Sequence, residues 1–349
     1  MTARTSISAA LAAALLFGAS TPFAKLLAGG LPPVQLAGLL YLGSGLGLWA
    51  ARIVRDRGFA SSQLRAGEWP WLAGAIVCGG VLGPVLLMLG LSLMPAAGAS
   101  LLLNLEAVLT ALLAWIVFRE NADRRVVLGM ALIVAGGAVL AWPAGGGGPA
   151  PSARGALAVA GACLCWALDN NLTRKVSAAD ALFIAGTKGL AAGLVNLLLA
   201  AALGAHLPPL PLAGSAMAVG LAGYGISLVL FVVALRGLGS ARTGAYFSTA
   251  PFLGAAIAVA FLHEPASTAF WIAAALMAAG VWLHLSERHD HEHAHEPMRH
   301  AHPHRHDAHH QHQHDFDWDG SEPHTHEHHH ESLVHSHPHY PDIHHRHGH

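Results

Sequence analysis

Charge is scarce in this sequence: Asp, Glu, Lys and Arg together make up 11% of its 349 residues, against about 25% in soluble domains. A chain so poor in ionised groups cannot clothe a water-facing surface, which excludes an ordinary soluble enzyme or regulator. Cysteine is also sparse. The three present, Cys78, Cys163 and Cys165, all fall in apolar runs, and the last two stand about 200° apart on a helix. Neither a disulfide framework nor a shared soft-metal site is expected from them. No phosphate loop, dinucleotide fingerprint or nucleophile elbow occurs, so nothing reads as an enzyme, as a nucleotide-driven pump or as a partner for nucleic acid.

What is abundant is apolar sequence, 54% of the chain, cut into stretches of about 20 residues, each able to cross a hydrocarbon layer of about 30 Å as a helix. Ten such stretches are read, at 6–28, 34–53, 69–93, 96–118, 126–142, 155–173, 179–203, 212–235, 241–262 and 268–286. They lack the two-residue alternation of a membrane barrel, and lipid leaves no water to satisfy exposed backbone. The expected fold class is therefore an all-α integral membrane protein. Lys and Arg mark orientation, because they accumulate in cytoplasmic connections. Thirteen fall on one side of the predicted membrane and two, Lys25 and Arg154, on the other. Both termini are thus expected in the cytoplasm, in the inner membrane if the source is bacterial.

Sliding the chain along itself by 144 positions superimposes Gly79 on Gly223, Glu120 on Glu264 and Gly136 on Gly280. An internal repeat of five helices per copy follows. Because five is odd, the second copy is expected upside down, an arrangement that places a solute site near the midplane between the halves. The first repeat spans 1–142, a Gly/Pro linker 143–153, the second repeat 154–286 and a polar tail 287–349. The first apolar run is kept as a helix rather than a cleaved leader, because the repeat requires it.

Three passages, GASTPFAKLL from Gly18, LEAVLTALLAWIVFRE over 105–120 and GAYFSTAPF over 244–252, resemble motifs of the EamA-type drug/metabolite transporter superfamily. The resemblance covers roughly 6–286. It implies ten transmembrane helices as a 5+5 inverted repeat and secondary transport, with a cargo anywhere among amino acids, metabolites, nucleotide sugars and toxic cations. In one respect the chain departs: the family's fourth helix often carries Glu-Pro, whereas Glu106 is followed by Ala107, and the proline occurs only in the second copy as Pro251. A kink is therefore expected in the ninth helix rather than the fourth.

Charges deep in lipid cost about 2.5 to 3.5 kcal/mol each, so each is a candidate for function. Glu106, with Asn104 nearby, falls near the midplane as a proton-coupling or cation-binding carboxylate. Asp169 and Asn170 lie toward the cytoplasmic end of the sixth helix, at the depth of Lys188 in the seventh, so Asp169 and Lys188 are expected to pair. Trp166, Tyr246 and Ser248 complete the predicted pathway.

Of 27 histidines, 24 fall in 287–349. Without aliphatic periodicity this tail is expected to be disordered. Neutral imidazole ligates Ni, Co, Zn and Cu, and the expected ligands are His289, His291, His293, His295, His300, His302, His304, His306, His324, His326, His328, His330, His335, His337 and His339. The match of 326–330 to H-E-x-x-H has little weight in so repetitive a tract. The helical core itself is expected to hold no cofactor. The sequence thus favours an exporter of a small solute, with transition-metal ions or their complexes suggested as cargo by the tail; an organic solute exporter with a metal-sensing tail and a membrane-tethered metal store are the alternatives.

Overall fold

The computed structural model describes residues 3–59, 61–62, 64–118, 124–142, 153–176 and 179–285, and in the tail 290–295, 298–304, 324–330 and 333–338. Glu120, linker residues 143–152 and the tail residues His289, His306 and His339 lie outside the described residues. The chain divides into a helical unit, Met1–Glu287, and a tail unit, Arg288–His349.

Among the described residues, seven helices of the helical unit are long and apolar enough to cross a membrane, and Ala250–Phe261 and Thr268–Leu283 are shorter apolar helices. Ala153–Arg174 has the length, 22 residues, but its last turns carry Asp169, Asn170, Asn171 and Thr173. The connection expected between the eighth and ninth runs takes an unexpected form, because helical hydrogen bonding continues over Ser227–Phe247. Yet the rings of Phe231 and Phe247 lie 5.0 Å apart, where 16 residues of straight helix would span about 24 Å. The chain therefore doubles back between them.

The helices pack in pairs that exchange when one half is mapped on the other. Ala3–Ala28 lies along Ser227–Phe247 as Ala153–Arg174 lies along Gly83–Leu93, while Pro33–Asp56 pairs with Ala181–Ala202 and Arg124–Ala141 with Thr268–Leu285. Lipid offers no hydrophobic drive for helix association, so close approach through small residues must hold these pairs. A Cβ on Gly189 would lie 2.7 Å from the Gly45 Cα, so neither position admits a side chain. At the end of Pro33–Asp56, the buried Arg52 donates from Nε to Asp180 Oδ1 at 3.3 Å and from Nη2 to the Ser61 carbonyl at 3.1 Å. Its guanidinium also lies over Trp49 and Phe183, at 5.3 and 5.2 Å from the ring centroids. Asp180 in turn caps Ala181–Ala202 by accepting from the Phe183 N–H.

Both halves carry the same two irregularities. Within the long third and eighth helices, π-helical turns occupy Ile76–Leu82 and Leu221–Ile226, displaced by the repeat offset of 144 to 145 positions. The fourth and ninth helices are interrupted, at Leu103–Asn104 between Ala96–Leu102 and Leu105–Phe118, and at Ser248–Thr249 before Ala250–Phe261. The second break precedes Pro251, as expected; the first corrects the expectation of an unbroken fourth helix. No proline is present there; the Leu101 carbonyl at the break accepts from the Asn104 backbone N–H at 3.1 Å and also from Asn104 Nδ2 at 2.8 Å. Thr249 Oγ1 does the same for the Tyr246 carbonyl at 2.6 Å, so each break is sealed by a polar residue reaching three positions back.

In the tail unit, four strands are described: β1 Asp290–His295, β2 Met298–His304, β3 His324–His330 and β4 Leu333–Pro338. β1 pairs with β4 and β2 with β3, both antiparallel. These segments therefore differ from the expected disordered tail. The physical reason is the alternation of His with other residues, a two-residue period that suits a strand.

Candidate functional site

The second π turn, through Gly223 and Tyr224, lines a cavity of about 290 Å³, reached also by Glu106 just after the first break and by Phe247 just before the second. Its walls are mostly aromatic: Phe17, Tyr41, Trp166, Tyr224, Phe231 and Phe247, with Gly223, Ser227 and Leu228 and two carboxylates, Glu106 and Asp169. The rings support one another, Tyr41 and Tyr224 with centroids 5.5 Å apart and Phe17 lying 6.1 Å from Tyr224 and 5.3 Å from Phe247.

Glu106 reaches the cavity because the fourth helix is broken just before it. The residue falls in the first turn of Leu105–Phe118, where the partial positive charge of a helix start favours a carboxylate. Its Oε1 accepts from Asn170 Nδ2 at 2.9 Å, and the same amide lies 3.3 Å from Thr110 Oγ1. Asp169 has a different environment. Lys188 Nζ donates to both its oxygens, at 2.5 and 2.7 Å, and Thr173 Oγ1 donates to Oδ1 at 2.8 Å. The two side chains are only 10% and 16% exposed, so the pair is neutral within itself and Glu106 is the carboxylate free to meet a bound charge.

The π turn of the third helix shapes the wall from behind. A π turn leaves backbone carbonyls without their usual helical donors, and here side chains supply them. The Gly79 carbonyl accepts from Tyr41 Oη and from Trp166 Nε1, both at 2.9 Å, and the Gly80 carbonyl accepts from Asn196 Nδ2 at 3.2 Å. Those bonds fix the tyrosine and indole rings as cavity walls. A side chain at Gly79 would overlap the Asp169 carboxylate, which explains the glycine. On the opposite end of the bundle, Glu264 accepts from the Ala96 and Ala97 N–H groups at 2.8 and 2.7 Å. Nearby, Lys25 Nζ donates to the Leu91 carbonyl and, at 3.0 Å, to that of Met94. Together they tie the ends of four helices.

Of the predicted pathway residues, Glu106, Trp166 and Asp169 line the cavity, with Asn170 and Lys188 attached to them. Asn104 does not line it, being buried at the helix break with its amide 4.0 Å from Met277 Sδ. Tyr246 packs against the cluster of Ala9, Ala10 and Ala234, and Ser248 lies in the second break rather than in the wall. Sequence reasoning missed Phe17, Tyr41, Tyr224, Phe231 and Phe247. For the tyrosines a signal existed, since a phenol inside an apolar helix needs a partner. Among the described residues, no three of His, Cys, Asp and Glu come together to hold a metal ion.

Known proteins agree with this architecture. A solved structure described only as "Crystal structure of protein" superposes with a TM-score of 0.58 at 26% identity, covering 79% of this chain and 95% of that one. An "Uncharacterized transporter" of Methanothermobacter thermautotrophicus is 28% identical over 289 residues, 78% of this chain and 83% of the relative. The EamA-like transporter family model matches twice, at residues 4–142 and 153–286, the two halves recognised above. This chain accordingly belongs to the EamA-like transporter family: it is a multi-pass integral membrane transporter with a duplicated domain, and not an enzyme.

Proposed function

We propose that this protein is a secondary transporter whose ten helices form an inverted repeat, and that the cavity is its solute site, suited to a small organic cation. The single observation carrying this reading is the placement of Glu106: a carboxylate whose hydrogen-bond partner is a neutral amide, in a cavity walled by aromatic faces. Such faces attract a cation by about 0.5 to 2 kcal/mol each when water is excluded, and the carboxylate balances its charge. With Asp169 already neutralised by Lys188, one positive charge matches the site. The cavity volume of about 290 Å³ is near the lower bound for small-molecule sites and far more than a bare ion needs.

This reverses the order suggested by the sequence, in which metal ions led. A divalent ion stripped of water requires four or more ligands, and the cavity supplies Glu106 and a carboxylate already paired. Metal cargo now rests on the histidine tail alone, and a tethered metal store would need only one anchoring helix. The excess of basic residues on one side favours cytoplasmic termini; with no nucleotide-binding motif in the sequence, an ion gradient or the solute's own gradient would drive export, with a proton on Glu106 as the natural counter-ion.

The test is cellular content of Ni, Co, Zn and Cu, beside retention of a panel of aromatic and quaternary amines, in cells expressing wild type or Glu106→Gln. Reduced retention of an amine, restored by the substitution, with metal content unchanged is expected. Reduced content of one metal with every amine unaffected would overturn the organic-cation reading.

A further inference from the structure

The tail unit sets histidine opposite histidine. In the β2–β3 ladder the directly paired positions are His300 with His328, His302 with His326 and His304 with His324. Residues two apart share a face of a strand, so all six stand on one face. The alternate positions of the same ladder pair Arg299 with His329, Ala301 with Glu327 and Pro303 with Thr325, and offer no such match. The β1–β4 ladder repeats the pattern, with His291 opposite His337 and His293 opposite His335. Five cross-strand histidine pairs in two ladders are a property of the register, beyond the tail's composition.

Directly opposed residues of an antiparallel pair have Cβ atoms about 4.5 to 5.5 Å apart, and imidazole nitrogens bind zinc at about 2.0 to 2.1 Å. Two histidines at that backbone spacing can share one ion, with water completing its shell. Successive pairs on a face are separated by about 6.8 Å along the strand, so a ladder provides a row of equivalent positions. From this register we infer that the tail is a multi-ion site for imidazole-preferring divalent metals, with each cross-strand histidine pair as the binding unit.

Metal and strand pairing support each other. An isolated two-stranded hairpin is marginal in water, and these strands have almost no aliphatic side chains with which to build a core. Ions bridging the strands supply the missing free energy, so binding and ladder formation are one equilibrium. The inference concerns the tail alone and stands independently of what the cavity carries.

The test uses the full chain in detergent micelles, stripped with chelator and titrated with zinc or nickel alone at pH 7.4. One variant replaces His300, His302, His304, His324, His326 and His328 by Asn. A matched control replaces six histidines outside the described strands, His309, His310, His312, His314, His344 and His345. The ladder variant should lose about three of the five tight sites, keeping those of the β1–β4 ladder, and the control should keep all five. Zinc should also slow amide exchange across 298–304 and 324–330 in wild type and control but not in the ladder variant. Equal losses in both variants would show that composition, not register, binds the metal, and absence of binding by wild type would overturn the proposal outright.

Discussion

Removing either member of the Asp169–Lys188 pair leaves an uncompensated charge in the membrane-embedded bundle. In Lys188→Met the carboxylate keeps only the Thr173 hydroxyl, at 2.8 Å. In Asp169→Asn the ammonium keeps the same hydroxyl, at 3.2 Å. Breaking a buried pair costs about 3 to 5 kcal/mol, whereas replacing both partners by neutral groups is close to neutral. With side chains only 10% and 16% exposed, solvent screening removes little of this, and the retained threonine bond sets each single change near 3 kcal/mol. The double variant Asp169→Asn/Lys188→Met should cost about 1 to 2 kcal/mol, a coupling of at least about 3 kcal/mol. Equilibrium unfolding of the four proteins in mixed micelles measures it. Additive costs would refute the pairing and, with it, the assignment of Glu106 as the cavity's unbalanced carboxylate.

Four further expectations follow from the same contacts. Gly79→Ala drives a methyl group into the Asp169 carboxylate and should cost about 1 to 3 kcal/mol in the same unfolding assay. Tyr41→Phe and Trp166→Phe each leave the Gly79 carbonyl one donor; each alone should cost about 1 kcal/mol and the pair more than their sum, because only then is a buried acceptor orphaned. Glu264→Ala removes both bonds to the start of Ala96–Leu102 and should cost about 1 to 2 kcal/mol in the same unfolding assay; an unchanged unfolding free energy would contradict that tie. Burial pushes the Asp180 carboxyl up, but the Phe183 N–H and the Arg55 guanidinium outweigh it and hold it below its ordinary 3.8. Its stabilising contribution is therefore present above the unfolded value and lost as pH falls through the lower folded one. The stability gap between wild type and Asp180→Asn should be constant above about pH 5 and close below about pH 4; a gap unaffected by acid would contradict the cap.

Much of the fold was legible because membrane helices are written in composition, and the repeat because glycines at helix crossings and the paired Glu120 and Glu264 are costly to match by chance. The Asp169–Lys188 contact was legible for the same reason: two opposite charges at one depth in lipid have few other partners. What escaped is tertiary. The aromatic wall gathers Phe17, Tyr41, Trp166, Tyr224 and Phe247 from five helical segments, and hydropathy cannot tell a ring facing a cavity from one facing lipid. Asn104 was misread because its amide turns to the backbone at a break that no proline announces. The π turns were illegible for a related reason, since Gly79 and Gly223 look like ordinary packing glycines until the carbonyl of Gly79 is seen accepting two side chains.

The account stands on Glu106 as the charge-bearing group of the solute site. Its most direct test is binding of a tritiated aromatic monocation, tetraphenylphosphonium, to the purified protein, comparing wild type with Glu106→Gln and with Asn104→Ala. The account predicts saturable binding lost at least tenfold in Glu106→Gln and retained in Asn104→Ala, whose residue seals the break without facing the cavity. Equal binding by wild type and Glu106→Gln would contradict it.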